Sequence, residues 1–155
     1  MLNEKDISIE KQKLRVWLQV QKVTRSIEAE LRDNLRIEYG STLPRFDVLA
    51  VLHHNIQGLR MSEISASLKV SNGNITGIIE RHVKDNLVER KTVKGDKRAM
   101  IIKLTDEGEA HFLDMAQSYS RWLGALLNEI DAQDTAILLS LLKKVDVQKG
   151  DLEPE

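Results

Sequence analysis

The stretch from Ser71 to Arg81 gathers side chains of one useful kind. Asn72, Asn74 and Thr76 are short hydrogen-bonding groups, Gly77 has no side chain, and Arg81 is a permanent cation. An amide matches the donor and acceptor on an adenine edge, and a guanidinium suits a guanine edge or a phosphate. Between them Ile75, Ile78, Ile79 and Val83 recur at i, i+3, i+4 and i+8. A helix with that spacing is held by one apolar face and offers the other to a partner. Ser71 suits its N-cap. Further along, Lys94-Gly95-Asp96-Lys97-Arg98 is a short basic loop able to touch phosphates or enter a minor groove. The chemistry these residues could do is recognition of a polyanion with base edges.

The charge distribution agrees. Between Arg60 and Lys103 ten basic side chains face five acidic ones, within a chain of 155 residues whose net charge is -1. A basic middle between acidic flanks suits a polyanion-binding element on a neutral scaffold. Nothing suggests catalysis. No nucleophile–base pair, phosphate-cradling glycine loop or paired catalytic carboxylate stands out, so no enzyme activity and no cofactor are expected. Absence of cysteine excludes disulfides, thiolate-bound zinc and a cysteine redox sensor. His53 and His54 are adjacent on a helix and point apart, and His82 and His111 are isolated, so no metal site is expected.

The elements that must position these residues are mostly helical. Trp17, Val20, Val23, Ile27, Leu31, Leu35 and Tyr39 form the stripe of one long helix over 9–39, ended by Gly40. Pro44 suits the first turn of a second helix, with Phe46, Val48, Leu49, Val51 and Leu52 as its apolar face. A short helix follows with Ser62 as N-cap, then the turn Val70-Ser71 and the helix described above. Leu87–Lys91 and Ala99–Leu104 read as two strands around the basic loop. Thr105 caps a helix whose stripe runs from Phe112 through Met115, Tyr119, Trp122 and Leu126 to Ile130. A last helix carries Ile137, Leu138, Leu141, Leu142 and Val145. The tail 150–155 is expected to fray. No apolar run is long enough to span a membrane and the N-terminus lacks signal-peptide order, so a cytoplasmic protein is expected.

Helix, turn, helix and hairpin is the order of a winged helix-turn-helix. The run Met61-Ser62-Glu63-Ile64-Ser65, the turn Val70-Ser71 and Asn86-Leu87-Val88-Glu89-Arg90 carry a resemblance, as does Asp96-Lys97-Arg98-Ala99 leading into Lys103-Leu104-Thr105-Asp106-Glu107-Gly108. Together they resemble the MarR family of transcriptional regulators over nearly the whole chain. The resemblance implies a single domain over 1–155, mainly α with a small β-hairpin wing. Residues 9–39 and 106–147 would supply the dimerisation helices of an intertwined homodimer, and 44–105 the winged helix-turn-helix. It further implies a pseudo-palindromic double-stranded operator, with Ser71, Asn72, Asn74, Thr76, Gly77, Arg81, Lys94, Asp96, Lys97 and Arg98 at the DNA.

Leu43-Pro44-Arg45-Phe46-Asp47-Val48-Leu49 and Val70-Ser71-Asn72-Gly73-Asn74-Ile75-Thr76-Gly77 are similar to a narrower branch. Its members regulate hydroxycinnamate catabolism and respond to aromatic acids or their CoA thioesters. That similarity implies a repressor with a small aromatic effector, p-coumaroyl-CoA-like in one form. Trp17, Tyr119 and Trp122 would serve as flat walls, and Arg36, Arg45 and Arg121 as anion partners. Two departures matter. Oxidant sensing through cysteine is excluded here, and the helix after Ser71 is less basic than in many relatives. The competing reading is a small-molecule-binding or protein-binding helical module without a DNA role, which would lack salt-dependent affinity for duplex DNA.

Overall fold

The structure, a computed structural model, describes residues 8–69 and 71–145; the side chains of Asn72, Lys97 and Arg98 lie outside the description. The expected turn residue Val70 and the tail 150–155 also fall outside it. Two compact units divide the chain, Met1–Leu123 and Gly124–Glu155.

The first unit opens with α1, Ile9–Tyr39, where Ser8 caps the start by accepting from the Lys11 amide at 3.4 Å. Gly40 ends it at φ 57, the left-handed conformation in which its N–H returns to the Arg36 carbonyl. Helix α2, Leu43–His53, starts at the Thr42 cap with Pro44 in its first turn, as the sequence indicates. Helix α3 spans Met61–Leu68. Its N-cap is Arg60 and not the expected Ser62, because the Glu63 carboxylate accepts the Arg60 N–H at 2.6 Å and starts the helix earlier. Helix α4 spans Asn72–Lys84 with Ser71 at the N-cap, although the Ser71 hydroxyl makes no capping bond.

Strands β1, Val88–Val93, and β2, Asp96–Leu104, pair antiparallel from Val88↔Leu104 to Thr92↔Met100. The register then slips to Val93↔Asp96, which leaves a tight turn at Lys94-Gly95 with Gly95 at φ 92. The expected five-residue tip is therefore shorter, since Asp96, Lys97 and Arg98 belong to β2. Leu59 and Ile102 exchange backbone bonds of 2.9 and 2.7 Å and clamp the hairpin base to the domain.

Helix α5 runs Asp106–Leu126, and the expected stripe to Ile130 outlasts it, because a turn closes with Ile130 bonding back to Leu127. Thr105 both receives the Gly108 N–H at 2.9 Å and donates to the Asn86 carbonyl at 2.7 Å. This ties the start of α5 to the start of β1. The second unit holds α6, Ala132–Leu142, capped by Asp131 and with no buried residue.

One core serves the first unit. Leu31 and Leu35 of α1 join Val48, Leu49 and Leu52 of α2, Ile64 of α3, Ile75 and Ile79 of α4, Val88, Ile102, and Phe112 and Met115 of α5. Helix α2 lies at its centre, in contact with α1, α3, α4 and β2. What the core does not use is as informative. Trp17 at 56% exposure, Leu14 at 56% and Leu18 at 53% sit uncovered on α1, and Leu138 at 44% and Leu141 at 51% on α6.

Candidate nucleic-acid interface and adjoining pocket

Helix α4 turns Ile75, Ile78 and Ile79 into the core. The fourth inward residue is His82, 3% exposed, whereas the expected Val83 is 38% exposed. Helix geometry decides this, since i+7 returns to the starting face and i+8 overshoots it by most of a quarter turn. The His82 Nε2–H donates to the Arg45 carbonyl at 3.1 Å, which fixes the neutral tautomer. Its Nδ1 is a buried lone pair with no hydrogen-bond partner among the described residues.

Burial, then the Arg45 guanidinium, holds the His82 imidazole below its ordinary 6.5, outweighing the Arg45 carbonyl and Asp85. The folded chain thus refuses a proton that the unfolded chain accepts. The His82 contribution to stability is present above 6.5 and declines as pH falls below it. Urea unfolding on either side of that pH is expected to show the loss, and His82→Leu to flatten it. An unchanged slope in the variant would assign the acid sensitivity elsewhere.

The outward face of α4 is built of small groups. Ser71, Asn74 and Gly77 are exposed and Thr76 is half-buried. A Cβ at Gly73 or Gly77 would meet nothing within 4 Å. Each glycine costs a helix roughly 1 kcal/mol relative to alanine, and no contact among the described residues requires either. They leave open space on the outer face of α4. Arg81, toward the end of the helix, bonds Asp85 through Nε at 3.0 Å. On the wing Lys94, Gly95 and Asp96 are exposed.

The residues expected to form an aromatic effector site are not gathered in one place. Trp17 lies on the uncovered part of α1 and Arg36 pairs with Asp33 at 3.4 Å. Arg121 reaches Glu38 at 3.5 Å and the Ser118 hydroxyl at 3.3 Å. Trp122 is 9% exposed and packs edge-on against Tyr39, so it is core and not an open wall. Tyr119 stacks on Phe46 at 4.7 Å. Burial raises the Tyr119 hydroxyl above its ordinary value, and the Asp47 and Glu28 carboxylates add to this. That acidic neighbourhood disfavours an anion beside Tyr119.

Arg45 alone of that set lines a cavity of about 120 Å³ between α1, α2, α4 and α5. Its Nη1 bonds the Gly40 carbonyl at 3.4 Å. Around it stand Arg81 and His82 of α4, Asp85 just past its end, Tyr39 at the end of α1, and His111 of α5. Leu49 and Leu87 complete the apolar part of the wall. The structure therefore joins Arg45 to Arg81, which the sequence reading had assigned to different partners. His82 and His111 were missed; the one available signal was the i+7 place of His82 in the isoleucine stripe.

Comparison with known proteins gives a consistent answer. The profile described as the MarR family matches residues 39–99. The chain is similar to the HTH-type transcriptional regulator BilQ of Clostridium symbiosum, 26% identical over 92 residues, covering 59% of this chain and 64% of that one. The chain thus spans just under two thirds of that relative's length. Among solved structures it resembles a MarR family transcriptional regulator from Silicibacter pomeroyi, with 31% identity, 90% and 96% of the two chains covered and a TM-score of 0.72. It also resembles an E. coli MarR mutant complexed with operator DNA, with 25% identity, 90% and 99% covered and a TM-score of 0.72.

Proposed function

This chain belongs to the MarR family of winged helix-turn-helix transcriptional regulators, and from that premise we propose that it is a homodimeric, ligand-responsive repressor acting on a pseudo-palindromic operator. The carrying observation is α4, whose isoleucine face is locked in the core while Asn74, Thr76 and Gly77 stand on the other side next to a basic hairpin. A helix so held can enter a major groove without cost to its own packing. Duplex DNA is the macromolecular partner, and half-sites about one helical turn apart would match the twofold symmetry. The dimer reading is supported by the uncovered apolar residues of α1 and α6. Among the described residues no helix is long and apolar enough to cross a membrane, and the cytoplasm is the proposed compartment. No catalytic role is proposed.

Base readout and phosphate contact divide between the two elements. Asn74→Ala is expected to relax base preference at a cost of ~1–3 kcal/mol per lost amide–adenine pair. Arg98→Ala is expected to weaken binding on all sequences and to flatten the salt dependence. Anisotropy titrations on operator and random duplexes check both, and equal losses on the two DNAs for both variants would refute the division.

The proposed effector is an aromatic acid of the hydroxycinnamate class or its CoA thioester, and the controlled genes serve its catabolism. The supporting features are the branch-like segments around Pro44 and Ser71 and the placement of Arg45 beside a cavity. An effector acts only through unequal affinity for the DNA-competent and incompetent states. A coupling of about 1–3 kcal/mol lowers operator affinity roughly 5- to 150-fold. Operator release titrated with p-coumarate and with p-coumaroyl-CoA tests this, and indifference to both at millimolar concentration refutes the branch assignment.

A further inference from the structure

We infer that Lys69, in the turn between α3 and α4, is a phosphate contact of the DNA complex, kept in a backbone conformation that glycine would adopt with less strain. This rests on the reading of the chain as a DNA-binding regulator. It adds a residue that belongs neither to the outer face of α4 nor to the wing.

The backbone is the first observation. Lys69 ends α3 at φ 53 and ψ 40, in the left-handed region. A side-chain Cβ crowds the backbone there, a penalty that glycine escapes. Helices that stop this way usually carry glycine, as α1 does at Gly40. Among the described residues one other non-glycine has a positive φ, Asn86 at 57. Asn86 has local reasons to stay there. Asparagine tolerates this region better than most residues. Its amide donates to the Glu107 carboxylate at 2.7 Å, and its carbonyl receives the Thr105 hydroxyl at 2.7 Å. Lys69 gains nothing comparable. It is exposed, and its ammonium has no hydrogen bond or ion pair among the described residues. The dipole at the exposed end of the short helix α3 favours a cation only weakly, and salt screens it. Strain that does nothing for folding points to function.

The second observation is charge. From Met61 to Glu80, which takes in α3, the turn and most of α4, Lys69 is the only lysine or arginine, against Glu63 and Glu80. Arg81, the next cation, bonds Asp85 and lines the cavity between the helices. Affinity for DNA comes largely from neutralised phosphates, so a helix-turn-helix with one such cation depends on where it stands.

Position is the third. In helix-turn-helix complexes the first helix crosses the DNA backbone and the second enters the major groove with its N-terminal residues at the bases. The turn that joins them therefore passes the rim of the groove, where the phosphates are. Lys69 lies in that turn, two residues before Ser71, the N-cap of α4. An ammonium on a flexible four-carbon stem suits a phosphate as a point charge.

The test uses the full chain and two duplexes, one that the wild type selects from a random pool and one unselected. Lys69→Gly is expected to raise the urea midpoint at equal protein concentration, because glycine carries no left-handed penalty. It is also expected to weaken both duplexes at least about tenfold at about 50 mM salt. The slope of log affinity against log salt is expected to fall by about one per protomer, about two for the dimer. Lys69→Asn, neutral but at ease in the left-handed region, is expected to lose the same slope, and Lys69→Arg to keep it. A merely structural lysine would leave the slope alone. An unchanged slope in folded Lys69→Gly, or a lowered urea midpoint, overturns the inference. A wild-type chain without salt-dependent affinity for any duplex overturns the DNA reading itself, and this inference with it.

Discussion

Gly108→Ala is expected to destabilise the fold by about 3 kcal/mol or more, a large share of the stability of a domain this size. A Cβ at 108 would overlap the Leu87 carbonyl oxygen and crowd the Leu87 carbonyl carbon and Cα, all of them backbone. Backbone atoms cannot swing aside like the end of a long side chain. The Leu87 carbonyl is also engaged, since it accepts the Thr105 N–H at 3.1 Å. Moving it uncouples α5 from β1 at the point where Thr105 and Asn86 are bonded. Gly77→Ala supplies the contrast. Its new Cβ meets nothing within 4 Å inside a regular helix, so a gain of roughly 0.5–1 kcal/mol is expected. Urea midpoints for the two variants should move in opposite directions. A Gly108→Ala protein within about 1 kcal/mol of wild type would show that the junction of α5 and β1 yields easily.

The second large effect belongs to α6. Leu138→Asp with Leu141→Asp is expected to convert the proposed dimer into a monomer at micromolar concentration and to abolish operator binding. Both leucines are exposed in the isolated chain, 44% and 51%, and neither belongs to the buried core, so the substitutions leave that core intact. In a twofold assembly each change occurs twice. Fully burying one leucine contributes about 1.5–3 kcal/mol; about half of each side chain is open to a partner, so four lost leucines amount to about 3–6 kcal/mol, roughly 10²- to 10⁴-fold in the dimer constant. Sedimentation velocity reads the outcome. A double variant that sediments like wild type would place the dimer contact elsewhere on the chain.

Much of this architecture was legible in the residues. Local signals gave Ile9–Tyr39 and its stop at Gly40, Pro44 at the head of α2 and Thr105 before α5. Each has a cause within a few residues, so a sequence window contains it. The misreadings needed knowledge from farther away. Ser62 is a good capping residue, but the Glu63 carboxylate captured the Arg60 amide and moved the start. His82 looked polar and was passed over for Val83, although a histidine can be buried when a carbonyl from another helix receives its N–H. Trp122 looked like a ligand wall because its exposure is set by Tyr39, distant in sequence. The pairing of Arg45 with Arg81 is likewise tertiary: α2 and α4 meet through core residues, and their arginines follow.

The clamp at the hairpin base also bears on how such a regulator diverges after duplication. Val88 and Ile102, each 2% exposed, and the Leu59–Ile102 bonds fix the base, whereas Lys94, Gly95 and Asp96 at the tip are open to solvent. The buried part of the hairpin therefore lies at one end, and the proposed recognition chemistry lies at the other. Surface changes at the tip alter stability by only about ±0.5 kcal/mol. A duplicated copy can thus drift through many tip sequences, and so toward new operators, while every intermediate still folds. The same drift at the base would be purged at its first step.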